Sequence, residues 1–505
     1  EKKAARIDRA GRGCARACHR WKYRQAGPDG SILGRERHPS GCLDSVMHSG
    51  TVITGIGAVT PLGIGPDAFW DGLRAGRSAF GRTQRFDSSA FPSALTAEVR
   101  DLKVRDLVPK SYRKAVKVMA RDSELAVAAA QIAACDAGVA TRGSAEPAAW
   151  ATGDTAFAIE TARAGCQIGA GLIAADAAEL TAALATARED DGSFSMRRWG
   201  TEDGGDGGIN NLPPLWMLKY LPNMLACHVT IVHGLEGPSN TVTCAEASAL
   251  LSLGEAARVI ERGDAEVCFA GGAESKINHM GMLRMTFAKR LAPTGDATPE
   301  EAWRLVRPYD DAATGSLLGE AGVICVLETE EHAQRRGAPV RARVEGFGAG
   351  QSVEGIFGGV FEAMPEDPTD YGLVRAIKGA LDDAGIEPTD IDAIAPGALG
   401  VPHADLAEEH ALRAVFGERL ADLPMITTTP NVGVSAAATS GVQAAAAALA
   451  LAHGELPARV HAGRPRSGLL AGAHSAVSVS RLNRVLVCST ALGGQSAAMV
   501  LAQPR

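Results

Sequence analysis

The chain reads as an α/β protein of two similar halves, each a sheet covered by helices, on three observations. The first is a weak internal repeat. A periodic helix from Glu124 to Gly138 ends Ala134-Cys135-Asp136-Ala137-Gly138, and a second, Leu373 to Gly385, ends Leu381-Asp382-Asp383-Ala384-Gly385. Each is followed by a polar link and a strand. The second is a shared beginning: the strand-like Val52 to Gly55 has a counterpart near Val340 to Gly346. The third is the stretch Gly237 to Gly254. There a Gly-Pro turn leads through a short strand-like run, Thr241 to Cys244, into a helix from Ser248 to Ile260, with Leu250, Leu253, Ala257 and Ile260 on one apolar face. A chain of 505 residues is long enough to bury a large core shared by two halves.

In chain order, residues 1–46 differ from everything after them. They hold eleven Lys or Arg against five Asp or Glu and lack a periodic apolar face, which predicts a disordered leader. Met47 directly precedes the first strand, so the leader is expected to stand outside the functional protein. Cys14, Cys18, His19, His38 and Cys42 are zinc-ligand types, but their spacing fits no common finger, and no metal is expected. Thr51 to Gly57 predicts a buried strand followed by a glycine turn. Gly55-x-Gly57 lacks the third glycine that a dinucleotide site needs at the start of its helix. Asp122 to Ala137 has the stripe Leu125, Ala129, Ile132 and Ala133, and Gly138 can end that helix. Trp150 to Ala156 predicts a strand, Cys166 to Ala182 an Ala-rich helix, and residues 191–211 a polar surface loop. Glu266 to Ala270 reads as a strand closed by a tight turn at Gly271-Gly272-Ala273-Glu274. The run Ala436 to Ala452 is broken by Ser440, Gly441 and Gln443, and so predicts a buried helix. The expected divisions are a leader, 1–46, a first half, 47–335, and a second half, 336–505.

Composition excludes several functions. The net charge of −7 argues against nucleic acid as a partner, and since the leader carries +6 the rest stands near −13. No uninterrupted apolar stretch is long enough for a membrane span. The ten cysteines are scattered, many of them inside apolar runs such as those around Cys135, Cys268, Cys325 and Cys488. This predicts reduced thiols and a cytoplasmic protein.

The stretch Gly237 to Gly254 resembles the nucleophile elbow of the β-ketoacyl synthases, the condensing enzymes of fatty acid and polyketide synthesis. In that family Gly-Pro is followed by small or β-branched residues and then Thr-Ala-Cys-Ser/Thr-Ser-Gly. Thr51 to Gly63 is similar to the family's opening, Asp264 to Gly272 to its Asp…Gly-Gly segment, and Pro308-Tyr309-Asp310 to its Pro-Phe-Asp. Leu318 to Glu328 matches its Gly-Glu-Gly-Ala-Gly strand. The resemblance covers almost all of residues 50–505. It implies the duplicated thiolase-like fold, a five-layer αβαβα arrangement, with dimerisation, an acyl carrier protein as partner, and no metal or organic cofactor.

The departures from the family pattern fall at its catalytic positions. Aligned without a gap, the family's cysteine falls on Glu246, and Cys244 lies two residues earlier on the strand side. Pro396 stands at the first histidine, and the acidic helix behind it survives as Asp405, Glu408 and Glu409 with one residue inserted. Aligned on Gly433, Thr429 takes the place of the lysine and Val434 that of the second histidine. The Gly-Phe-Gly-Gly gate appears as Ala491-Leu492-Gly493-Gly494. His403, in the loop after Pro396, and His228, structural by position, are the remaining candidate histidines.

Decarboxylating condensation needs a thiolate to carry the acyl group and donors to stabilise the enolate and oxyanion. The resemblance therefore implies a noncatalytic subunit like the chain-length factors, paired with a cysteine-containing ketosynthase or with itself. Glu246 would accept N–H bonds at the helix terminus and close the acyl tunnel. Two alternatives stay open. One is a malonyl-carrier decarboxylase or other carrier-dependent acyltransferase using Glu246. The other is an active 3-oxoacyl-carrier synthase with displaced catalytic residues.

Overall fold

A computed structural model describes residues 50–144, 157–200, 207–353, 366–461, 463–466, 469 and 475–504. The leader, its zinc-type residues and the strand expected at Trp150 to Ala156 lie outside them. The first half contributes β1 (Thr51–Thr60), α1 (Arg121–Asp136), β2 (Ala164–Gly169), β3 (Ser239–Val242), α2 (Ser248–Glu261), β4 (Val267–Ser275) and β5 (Leu318–Thr329). The second contributes β6 (Ala342–Gln351), α3 (Tyr371–Ala384), β7 (Ala393–Ala395), α4 (Thr439–His453), β8 (Arg484–Thr490) and β9 (Gln495–Ala502).

The strands run in the order β7-β8-β9-β6-β1-β5-β4-β2-β3, with β1 and β6 meeting antiparallel from Thr51↔Val344 to Ile53↔Ala342. From that seam outward the halves repeat one another. β1-β5-β4-β2 on one side matches β6-β9-β8-β7 on the other, with antiparallel pairs nearest the seam and later parallel ones. Where β3 adds a parallel strand to β2, the segment around Met425 bridges Ile394 of β7 in the same sense. Helix α1 packs on β1, α3 packs on β6, and α2 and α4 touch each other between the sheets. This is the five-layer αβαβα arrangement of the duplicated thiolase-like fold.

The repeat is also visible in how strands approach their covering helices. A Cβ on Gly55 would lie 2.4 Å from the Ala133 carbonyl oxygen, and one on Gly57 would lie 1.8 Å from that of Ala129. In the second half, Cβ atoms on Gly346, Gly348 and Gly350 would meet the carbonyls of Ala380, Ala376 and Gly372 at 2.2, 2.1 and 2.1 Å. Glycine at alternate strand positions and small residues every fourth helix position let backbone lie on backbone. The expected glycine turn is therefore absent, and β1 continues through Gly55 and Gly57 to Thr60, with a shift in its pairing register between Ile53 and Gly55. The turn expected at Gly271 to Glu274 is also strand, pressed against β5 at Val323.

Other expectations shift. The strand before the elbow is Ser239–Val242 rather than Thr241 to Cys244. Cys166 to Ala182 divides into strand β2, a connection and a helix, Ala177–Thr186. The run 191–211 contains a helical turn, Met196–Trp199, rather than loop alone. Helix α1 ends at Gly138 and α3 at Gly385, both in the left-handed region (φ 64° and 65°) that glycine tolerates. Helix α4 is buried on nearly every side, as its Ala-rich sequence implies. Among the described residues no helix is long and apolar enough to cross a membrane, and no group of three His, Cys, Asp or Glu is placed to hold a metal ion.

Candidate functional site

Between β3 and α2 the chain turns through one short helical turn, Ala245–Ala247. Ala245 takes φ 41°, an unusual value for a residue with a Cβ. The Cys244 N–H donates to Ser248 Oγ at 2.8 Å, and the Leu250 N–H donates to Ser440 Oγ of α4 at 3.1 Å, so both ends of the corner are pinned. Leu250, Leu253, Ala257 and Ile260 are all buried and anchor α2. The second half repeats this corner at Ser435 to Thr439. Ala436 has φ 45°, and the Ser435 N–H donates to Thr439 Oγ1 at 3.1 Å. Ala437 occupies the place that Glu246 has in the first corner.

Glu246 is buried, with 3 % of its surface exposed. Its Oε1 accepts from Arg290 Nη2 at 2.8 Å, and its Oε2 accepts the Leu492 N–H at 3.1 Å. Its carbonyl accepts from Ser489 Oγ at 3.3 Å. The carboxylate is thus neutralised by a guanidinium and the gate segment, not by the N–H groups of its own helix as expected. Arg290 is equally buried, at 4 % exposure, just past the helix His279–Phe287. Nothing local in the sequence marks it, because Lys289-Arg290 reads as ordinary surface charge. Ion pair and gate lock one another. The gate turn closes on itself through Gly494 N–H to Ala491 O, and its Gly493 and Gly494 carbonyls accept from Gln351 Nε2 and Ser352 N–H of the neighbouring strand end. Cys244, half-buried beside the corner, has its thiol pKa pushed up by burial, which leaves it protonated.

The loop bearing Pro396 is held by two buried acids. Glu408 accepts the N–H groups of Gly397 and Ala398 at 2.7 and 2.9 Å, and Asp405 those of Leu399 and Gly400 at 2.9 and 3.0 Å. Tyr309 adds its hydroxyl to Glu408 at 2.6 Å and its N–H to Asp405 at 3.0 Å. Where the resemblance sets lysine, Thr429 spends its hydroxyl on the Ala398 carbonyl. Where it sets the second histidine, Val434 packs with Leu399 and Val401 in a small apolar cluster. The cavity beside Arg290, lined by Leu399, Ala404, Glu408 and Ala491, holds about 20 Å³. That is room for roughly one water molecule, not for an acyl chain.

The candidate histidines are separated. His403, in the first turn of the helix Pro402–Phe416, has no partner at Nε2 among the described residues, and burial, with the charges of Arg290 and Lys289, lowers its pKa to about 4. It is a neutral imidazole near the ion pair. His228 sits on the helix Met224–His233, its Nδ1 2.7 Å from the Tyr112 hydroxyl, and burial lowers its pKa. Among the described residues no hydrogen bond joins it to the corner.

A second buried polar group lies beside β4. Asp122 Oδ1 accepts the Ser275 N–H at 3.1 Å, and Glu274 pairs with Lys276 and accepts the Ala437 N–H at 2.8 Å. Burial, and then the Glu274 charge, push Asp122 from 3.8 up to about 8. A raised carboxyl pKa stabilises the fold fully below the unfolded value, and the benefit is lost as pH rises through the folded one. Thermal stability is therefore expected to fall between about pH 4 and pH 8 through this group, and Asp122→Asn, which mimics the protonated form, should flatten that fall. Parallel melting profiles of the two proteins across this range would remove Asp122 as the cause.

The N-terminal domain of β-ketoacyl synthases matches residues 49–333, and the C-terminal domain matches residues 354–463. The chain belongs to the β-ketoacyl synthase family. It is 27 % identical over 414 residues to 3-oxoacyl-[acyl-carrier-protein] synthase 2 of Staphylococcus aureus, covering 82 % of this chain and 91 % of that one. To the protein of the same name from Coxiella burnetii it is 28 % identical over 457 residues, covering 90 % and 98 %. Among solved structures it is similar to the ishigamide ketosynthase/chain length factor, with a TM-score of 0.71, 26 % identity, and 90 % and 99 % of the two chains covered.

Proposed function

We propose that this chain is the noncatalytic, chain-length-factor-like subunit of a condensing complex, working with an acyl carrier protein and a cysteine-containing ketosynthase. The observation that carries the reading is the closed corner. Glu246 is paired with Arg290 and capped by the Leu492 N–H, and the cavity that Arg290 lines has space for about one water. Both oxygens of this carboxylate are engaged within the protein, and the residue offers no thiol to carry an acyl group. Val434, Thr429 and Pro396 supply neither imidazole nor ammonium. Likeness to a structure titled as a ketosynthase/chain length factor supports the same reading.

The second reading, an active synthase with displaced groups, is favoured by the relatives' names, since both curated ones are called synthases. One experiment separates the two. The chain is co-expressed with cysteine-containing ketosynthases, loaded with acyl carrier protein and weighed intact. A one-to-one heterodimer with acyl mass only on the partner is the expected result. Acyl mass on this chain, or turnover by its homodimer alone, would establish the synthase instead.

A further inference from the structure

Outside its leader the chain is acidic, yet residues 100–117 hold seven Lys or Arg against two Asp. Lys103, Arg105, Lys110, Lys114 and Lys117 all reach the surface. Lys103, Arg105, Lys114 and Lys117 make no ion pair among the described residues, whereas Arg121, just beyond the run, is tied to Glu320 and Glu124. An exposed run of like charge without internal partners raises the local potential and favours a partner of opposite sign.

The run is held from below. Val104, Val108 and Met119 are buried, and the Tyr112 hydroxyl lies 2.7 Å from His228 Nδ1. From Lys110 to Val118 the chain winds through two short helical turns, which sets Lys110, Lys114 and Lys117 four and three residues apart along one side. Beside these cations is an apolar step. The turn Ala115–Val118 lies against the turn Trp216–Lys219, where Met217 is 64 % exposed, and Leu215 just before it is 63 % exposed. Exposed apolar side chains with charge at their edge are the centre-and-rim pattern of a protein interface. The complement is a helix with an apolar stripe flanked by carboxylates.

We propose that this surface docks an acidic amphipathic helix, the apolar stripe on Leu215 and Met217 and the carboxylates on Lys114 and Lys117. The partner's identity rests on the function proposed above: in a condensing complex the acidic partner is the carrier protein. The subunit without condensing chemistry then recruits the carrier itself instead of leaving that task to the ketosynthase.

The test is fluorescence anisotropy of labelled apo acyl carrier protein from the same organism, titrated with the full chain alone. Saturable binding that weakens as salt is raised is the expected result. Lys114→Glu combined with Lys117→Glu should weaken it by about tenfold or more, and Met217→Ser by less. Lys378→Glu, at an exposed cation on α3, should leave it unchanged. All these side chains lie at the surface, and an unchanged melting temperature shows that the variants are folded. Absence of saturable binding, or equal affinity in the unaltered chain and the double variant, overturns the proposal. So does capture by phosphatidylglycerol vesicles with no binding of the carrier protein, which would make the run a lipid contact. Acyl mass on this chain in the intact-mass experiment would overturn the noncatalytic reading and leave the docking result standing, so the two fail separately.

Discussion

Replacing Arg290 with methionine is expected to destabilise the protein by about 3–5 kcal/mol, because it strands the Glu246 carboxylate in a site with one remaining N–H donor. The donor–acceptor distance of 2.8 Å and the near-complete burial of both groups put the pair in the class where losing one partner costs far more than losing both. The double variant Arg290→Met with Glu246→Leu should accordingly recover most of the loss, since apolar groups of similar volume need no counter-charge. Urea unfolding of the four members of the cycle measures this directly. If the double variant is as unstable as the sum of the singles, the two residues do not act as a unit, and the closed-corner reading loses its main support.

Glu246→Cys is expected to restore a thiol without restoring condensation. Arg290 would favour the thiolate, so the new cysteine should accept an alkylating or acylating reagent small enough to reach it. The next step would still fail. Val434 lies against Leu399 and Val401, Thr429 has given its hydroxyl to the Ala398 carbonyl, and Pro396 has no side-chain donor. Removing one preorganised oxyanion donor from an active site costs about 10²–10³ in rate, and here the donors at two positions are gone. Product formation from acyl- and malonyl-carrier should stay at background. Measurable condensation by the single variant would mean that other groups, His403 foremost, supply the missing donors, and would favour the synthase reading.

The sequence exposed the repeat because its signals are local. Gly138 and Gly385 end their helices by accepting positive φ, and the short motifs before them survive side by side. It misread glycines whose reason is distant. Gly55, Gly57, Gly271 and Gly272 look like turn residues until the helix or strand pressed against them is known. Strand β2 was hidden in an Ala-rich run, because a short parallel strand buried on both faces has no alternation to show. The corner at Glu246 was legible from Gly237-Pro238 onward, and the loss of imidazole at Val434 likewise. Arg290 was not, since its meaning is its contact with a residue 44 positions earlier.

The two corners, one at Ala245 and one at Ala436, share a backbone torsion that residues with a Cβ rarely adopt, yet a carboxylate follows the first and only a methyl group follows the second. The awkward geometry is therefore inherited with the architecture and survives where no reaction has any use for it. A sharp elbow in a protein of this ancestry is evidence of descent, and chemistry has to be argued from the side chain that stands on it and from what that side chain can reach.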